Sequence, residues 1–300
     1  MTLVPAGSGT GTIDIDGGRV RVLRSVTVPE PERAGTPLLL VHGGGTDNAA
    51  ISWFHAFEAF GVDREVFAID LPGFGGTTGI DPVGDPRRTA DLTARVAARL
   101  GLTRVVAVGV SMGGDVVLNL ALRHPELVEA LVLIGPGGLI PVLRNRFTQF
   151  AAWLAAQLPE RVLLALSRTA NSFVQSAVRG VVSDPDSLPP EVLAEFLREA
   201  RRPGAFLGYL RYNRATLGPR SMRNDLQSEV GRIDVPALFF HGADDPMVDP
   251  EGSRRAARSM PAARLVLVPG CGHWAQLEAS EQFAAEVRAL LAGTAHPGAA

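Results

Sequence analysis

Ser111 is the residue from which chemistry can be read in this chain. It stands in Gly109-Val110-Ser111-Met112-Gly113, directly after Val105-Val106-Ala107-Val108, an apolar and mostly β-branched run that reads as a buried strand. A helix is predicted from about Asp115 to Arg123, so the serine falls on a sharp strand-to-helix turn, the pattern of a nucleophile elbow. Such a turn strains the serine backbone, and glycine two residues to either side keeps strand and helix from colliding. It lifts Ser111 Oγ clear of the sheet and aims the Met112 amide at the same point. A hydroxyl is a poor nucleophile until a base takes its proton, and the base needs an acid to orient it. Candidates for both lie downstream. His273 sits in Gly270-Cys271-Gly272-His273-Trp274, and Asp244 and Asp245 sit in His241-Gly242-Ala243-Asp244-Asp245-Pro246-Met247-Val248. The other singled-out histidines, His55, His124, His241 and His296, read as structural, and Cys271 reads as a small buried residue.

Positioning these groups requires a scaffold, and its elements are legible. Leu38 to Val41, Val66 to Ile69, Val105 to Val108, Ala130 to Ile134, Ala237 to His241 and Arg264 to Val268 are apolar runs of strand length. Helical patterns separate them, at Ser52 to Phe60, Arg87 to Leu100, Asp115 to Arg123 and Arg254 to Ser259, with a last helix at Glu281 to Leu291. Strands alternating with helices predict an α/β fold, a mostly parallel sheet with helices on both faces. Ser111, the Asp244–Asp245 pair and His273 each follow a strand, so a parallel sheet brings them to one edge. A hairpin is predicted around Asp16-Gly17-Gly18, and residues 1–11, rich in Gly, Ser and Thr, read as a mobile tail. From residue 137 to 230 the sequence shows helical patterns and no strand. The expected organisation is therefore a core domain of 1–136 and 231–300 interrupted by a helical insertion, 137–230. Within it Leu143, Phe147, Phe150, Leu154 and Leu158 form one apolar stripe, read as packing inside the insertion.

Composition narrows the function classes. Lys plus Arg number 29 against 31 Asp plus Glu, which gives no basic surface for nucleic acid or an anionic membrane. A single cysteine excludes a disulfide framework or a thiolate metal cluster. No run approaches the ~20 apolar residues of a membrane span, and no secretory signal is apparent at Met1 to Gly11. The expectation is a soluble cytoplasmic protein without cofactor or metal, acting on a small molecule, with a homo-oligomer left open.

With serine, acid and base in that chain order, the sequence resembles the α/β-hydrolase family over nearly its whole length. That resemblance implies several assignments. The family pattern G-x-x-D-x-x-V is met by Gly242, Asp245 and Val248, which makes Asp245 the acid and Asp244 a turn residue. His42-Gly43-Gly44 is similar to the family's oxyanion loop, which makes the Gly44 amide, with that of Met112, a donor to a developing oxyanion. Asp70-Leu71-Pro72-Gly73-Phe74-Gly75 also matches, and the insertion corresponds to a cap. Serine at the elbow argues against the branches that use aspartate. Ser111-Met112-Gly113-Gly114 and Cys271-Gly272-His273-Trp274 look like the meta-cleavage product hydrolases, which cut a carbon–carbon bond. Two departures stand against that subfamily: Val110 replaces asparagine before the nucleophile, and Thr46-Asp47-Asn48 replaces Gly-Pro-Gly. The favoured reading is hydrolysis of a carboxylic ester or lactone with an apolar acyl part. Carbon–carbon hydrolysis, acyl transfer and non-catalytic ligand binding are the alternatives. Substrate contacts are assigned to Gly43, Val110, Trp274, the cap aromatics Phe147 and Trp153, and Arg198 as the partner of a substrate carboxylate.

Overall fold

Strand β5 (Val105–Val110) is the middle of the sheet because every one of its residues can be buried. On one side it pairs in parallel with β3 (Gly35–Val41), Leu38 facing Val106 and Val41 facing Gly109. On the other it pairs with β6 (Val128–Ile134), Val110 facing Ile134. With β1 (Ser8–Ile15), β2 (Gly18–Ser25), β4 (Arg64–Ile69), β7 (Ala237–Gly242) and β8 (Ala263–Val268), the order is β1-β2-β4-β3-β5-β6-β7-β8. The first two strands are antiparallel to their neighbours and the rest are parallel. The chain thus has the α/β-hydrolase architecture. The computed structural model describes residues 2–27, 35–170 and 178–294.

Successive residues of a central strand feed opposite faces, and the two cores follow that alternation. Leu38, Leu40, Val106, Val108 and Val110 join Trp53, Phe57, Phe60 and Phe240 on one face. Leu39, Val41, Val105 and Ala107 join the inner faces of α3 (Pro86–Arg99) and α4 (Met112–Arg123) on the other. Asp85 caps α3, its side chain accepting from the Arg87 amide, and Pro86 occupies the first helical position, where its missing N–H costs nothing.

The strands lie where the apolar runs predict, and the differences have local causes. The Gly- and Thr-rich Ser8 to Gly11 is not a mobile tail but the first half of β1, paired residue for residue with Val22 to Ser25. The Asp16-Gly17 turn joins the two strands, both residues at positive φ. The helix predicted over Ser52 to Phe60 is two short ones, α1 (Ala49–Ser52) and α2 (Ala56–Phe60). Asn48 starts α1 early because its side chain accepts from the Ala50 and Ile51 amides. Helix α4 begins at Met112, so the turn at Ser111 is tighter than the pattern suggested.

Between Ile134 and Ala237 the described residues form helices and no strand of the sheet. Those of ten residues or more are α5 (Arg146–Ala156), α6 (Glu160–Ala170), α7 (Pro190–Ala200) and α8 (Leu207–Thr216). Helix α8 is fastened to the core. Gly208 admits the Phe74 ring against its backbone, and Arg211 bonds Glu160 at 2.9 Å and the Pro82 carbonyl at 3.0 Å. Helix α5 reverses the expected orientation. Phe147 is 82% exposed, and Phe150, Leu154 and Leu158 are exposed with it. The buried face of α5 carries Gln149 and Ala156 instead, Gln149 donating to the Gly218 carbonyl at 2.7 Å. None of the helices among the described residues is long and apolar enough to cross a membrane.

Backbone comes closest to the elbow at Gly113 and Gly109. A Cβ on Gly113 would lie inside van der Waals contact of the Val41 and His42 carbonyl oxygens, and one on Gly109 would meet the Gly113 carbonyl. Gly113→Ala is expected to destabilise the protein by about 3 kcal/mol or more, because backbone rather than a flexible side chain must yield. Urea unfolding measures it, and a loss under about 1 kcal/mol would show that the elbow can relax.

Candidate active site

Ser111 is held at φ 53°, ψ −120°, between β5 and α4. Non-glycine residues avoid such angles, and a strained residue persists only where its surroundings over-determine it. Here its amide donates to the Ile134 carbonyl at 2.9 Å, and its carbonyl accepts from the Gly137 amide at 2.8 Å and the Gly114 amide at 2.9 Å. Met112 opens α4, so its N–H belongs to the first turn, where no intrahelical acceptor exists. Across from it lies the loop after β3. His42 fixes this loop: Nδ1 donates to the Gly43 carbonyl at 2.7 Å and Nε2 accepts from the Leu71 amide at 3.0 Å. Asp47 fixes it from the other side, accepting from the Gly43 amide at 2.9 Å and the Ser52 hydroxyl at 2.5 Å. Burial pushes the Asp47 carboxyl above its usual range, against the opposing pull of His42, Ser52 and the Gly43 and Asn48 amides.

Asp245 collects four donors. Its Oδ1 accepts from the Met247 and Val248 amides at 2.7 and 3.0 Å. Its Oδ2 accepts from His273 Nδ1 at 2.8 Å and from His241 Nε2 at 3.1 Å. Burial alone would raise its pKa, but the hydrogen bonds from His241 and His273 and the charge of His273 outweigh it and hold the carboxyl well below the carboxylate range. Asp244 points elsewhere and accepts from the Gly270 amide at 3.0 Å. The backbone of His273 is itself anchored, its amide donating to the Val181 carbonyl at 2.8 Å.

Two cavities meet at Ser111. The larger, about 480 Å³, runs under the inserted helices and is lined by Met112, Tyr212, Asn224 and the small-residue face of α5 at Ala152, Ala155 and Ala156. The smaller, about 210 Å³, is lined by Gly43 to Asp47, Phe196 and Trp274. Ser111, His273, Tyr209 and Met247 line both. Tyr209 reaches the junction because Gly44 has no side chain: a Cβ there would collide with the Tyr209 ring.

Of the residues assigned to the oxyanion hole and to substrate, Gly43, Gly44 and Trp274 line the smaller cavity and Met112 the larger, while the other four line neither. Val110 is fully buried in β5 and reaches neither cavity. Phe147 and Trp153 lie off both, because α5 turns its alanines inward; Trp153 packs on Phe150 with ring centroids 5.5 Å apart. Arg198 lines neither cavity. Its guanidinium is spent on Glu195, at 2.7 and 2.6 Å, and on Glu199. Glu195 in turn accepts from Asn48 Nδ2 at 2.9 Å, which ties α7 to the loop after β3.

Several residues join the site without having been marked by the sequence. His241 bridges Asp245 and Ser253 Oγ, the latter at 2.8 Å, and is no bystander to the acid. His55 and His124 stay away from both cavities, and His296 lies outside the described residues. Asp115, one turn into α4, is buried without an ion pair among the described residues. Tyr212, Asn224 and Asn119 donate to it at 2.9, 2.6 and 2.9 Å. Burial pushes its pKa up to about 7, against the hydrogen bonds from Asn224 and Tyr212. Tyr209 and Tyr212 are three apart on α8 and so share a face, a spacing visible in sequence but without direction until the helix is docked.

The family model described as the alpha/beta hydrolase fold matches residues 36–280. The chain is 32% identical over 257 residues to a 2-hydroxy-6-oxononadienedioate/2-hydroxy-6-oxononatrienedioate hydrolase of Burkholderia vietnamiensis, covering 82% of this chain and 83% of that protein. It is 29% identical over 260 residues to the dihydrolipoyllysine-residue acetyltransferase component of the acetoin cleaving system of Pseudomonas putida. That match covers 86% of this chain but only 64% of the Pseudomonas protein. A carboxylesterase of Bacillus subtilis shares the fold with a TM-score of 0.74 at 21% identity, over 97% of this chain and 93% of that one.

Asp115 generates a prediction with a definite sign. Its folded pKa, about 7, lies above the ordinary 3.8, so between those values the folded protein holds a proton that the unfolded chain has released. Its contribution to stability is complete below the lower value and is lost as pH rises through the upper. Asp115→Asn should therefore show a smaller fall in urea midpoint from pH 5 to pH 8 than the unsubstituted protein. Parallel pH profiles for the two would contradict the assignment.

Proposed function

The chain belongs to the α/β-hydrolase fold family and is an α/β-hydrolase, and on that premise we propose that Ser111, His273 and Asp245 hydrolyse a carboxylic ester or lactone with an apolar acyl part. The observation that carries this reading is the strained Ser111 turn opening on the two cavities that His273, hydrogen-bonded to Asp245, also lines. His273 takes the Ser111 proton as Oγ attacks the substrate carbonyl. The oxyanion is received by the Gly44 and Met112 amides, each worth about 3 kcal/mol of barrier when pre-organised. Asp245 stays ionised, holds the Nδ1–H tautomer and stabilises the imidazolium. His273 then passes its proton to the leaving alkoxide, and in the second step it deprotonates the water that releases the acid and frees Ser111. His241 supports this as a positioning residue, its Nε2–H bonding the Asp245 oxygen that His273 also uses.

Carbon–carbon hydrolysis is the second reading, supported by the 32% identity to the Burkholderia hydrolase. Against it, Val110 is buried in the strand and Arg198 is engaged by two glutamates, so neither offers a substrate carboxylate a partner. Turnover of a vinylogous diketo acid but of no ester would reverse the preference.

Two measurements test the nucleophile and the acid. Ser111→Ala should lower kcat on a p-nitrophenyl ester by about 10³-fold or more and abolish labelling by a fluorophosphonate probe; retained turnover removes Ser111 from the mechanism. Asp245→Asn should cost about 10⁴-fold in kcat through the wrong His273 tautomer, and Asp244→Asn should cost little. Equal losses would show that the acid is misassigned.

A further inference from the structure

Six of the eleven large apolar side chains left exposed among the described residues lie on two consecutive helices. They are Phe147, Phe150 and Leu154 on α5, Leu158 at the joint, and Val162 and Leu166 on α6. The other five come from separate stretches of the chain. Within each helix the exposed apolar residues are three or four apart and so share a face. The other faces are occupied, since Ala152, Ala155 and Ala156 of α5 and Leu163 of α6 line the larger cavity. Both helices are fastened to α8. Arg211 bonds Glu160 at 2.9 Å, and Arg214 donates to the Ala156 and Leu158 carbonyls at 3.0 and 2.7 Å, covering the last acceptors of α5. The two apolar faces therefore look out from the same side of the insertion. An exposed patch of this kind marks a surface that meets another apolar phase.

Charge identifies that phase. Over the whole chain acid slightly exceeds base, but residues 137–167 contain Arg144, Arg146 and Arg161 and a single acid, Glu160. Arg211 engages Glu160, whereas the three arginines are exposed and form no ion pair among the described residues. Arg146 stands one turn before Phe150, and Arg161 adjoins Val162 at the start of α6. Aromatic and aliphatic side chains flanked by unpaired arginines match a surface whose hydrocarbon lies beneath anionic headgroups. A second copy of the chain fits less well, because self-pairing of this face brings arginines to arginines with no free acid to answer them.

We propose that the outward face of α5 and α6 docks on an anionic lipid bilayer, with Phe147, Phe150 and Leu154 entering below the headgroups and Arg144, Arg146 and Arg161 meeting the lipid acids. The docking does not depend on the chemistry at Ser111.

Sedimentation with vesicles tests it on the full chain. One set is phosphatidylcholine alone, and the other is phosphatidylcholine and phosphatidylglycerol in equal parts. Affinity for the mixed vesicles should exceed that for the neutral ones by about tenfold or more, and added salt should narrow the gap. Phe147→Gln with Phe150→Gln should weaken binding to mixed vesicles by about tenfold or more. Should that pair fail to fold, Phe147→Gln alone, at a side chain 82% exposed, should still weaken it several-fold. Arg144→Gln, Arg146→Gln and Arg161→Gln together should bring the two lipid compositions level. Sedimentation with neither set overturns the inference, as does equal affinity of the unsubstituted protein for both. Binding that survives the phenylalanine substitutions places the contact elsewhere and overturns it too. A dimer that Phe147→Gln dissociates, without lipid binding, gives the face to a second copy and overturns the lipid assignment.

Discussion

Everything at this site depends on how closely three pieces of backbone can approach. The end of β3, the end of β5 and the first turn of α4 meet where only Gly109 and Gly113 leave room. That contact forces Ser111 to a positive φ, and the Ile134 carbonyl with the Gly137 and Gly114 amides keeps it there. Its effect is geometric: the hydroxyl stands off the sheet edge, and the first amide of α4 stands next to it. The elbow costs on the order of 1–3 kcal/mol of backbone strain. The two cores packed against the alternating faces of β3 and β5 are what can bear it.

Around this fixed point the protein places three buried carboxyls in three environments. Asp245 has two imidazoles and two amides on it, and these hold its carboxyl well below the carboxylate range. Asp115 has only neutral donors, and desolvation lifts it towards neutrality. Asp47 braces the loop bearing Gly43 and Gly44, and it too is raised by burial. The difference lies in the partners, since the side chains are identical. The same loop is joined through Asn48 and Glu195 to α7, and through the Tyr209 ring over Gly44 to α8, which holds the inserted helices against the loop after β3. The two cavities are the space these contacts leave.

Sequence and tertiary structure divide the description along physical lines. The sheet was legible because a strand covered on both faces needs consecutive apolar residues, and β3, β5, β6 and β7 are such runs. The elbow was legible because glycine at fixed offsets has a steric cause that operates locally, and Ser111, Asp245 and His273 each follow a strand, so a parallel sheet brings them to one edge. The insertion was legible as helices by period. Period finds a stripe, however, and gives no sign to it. Phe147, Phe150 and Leu154 form a stripe on α5, yet the helix buries Gln149 and Ala156, because small residues allow the close approach and Gln149 finds the Gly218 carbonyl. For the same reason Trp153 and Phe147 fell outside the cavities that Ala152 and Ala155 line.

Arg198 and His241 show the other limit. A guanidinium in an insertion can serve a substrate or a neighbouring acid, and only the packed α7 brings Glu195 and Glu199 to it first. A histidine inside an apolar strand reads as core, and only the fold of the loop after β7 carries Asp245 back onto its ring. By itself, then, the sequence determined the α/β sheet, the turn at Ser111 and the strand ends that Asp245 and His273 follow, since those depend on local sterics and chain order. Only the tertiary structure decided which faces of the inserted helices look inward, which buried carboxyls are raised and which is lowered, and that Tyr209, Tyr212 and Asn224 line a cavity at Ser111. Those depend on contacts between residues far apart in the chain, whose geometry no local pattern encodes.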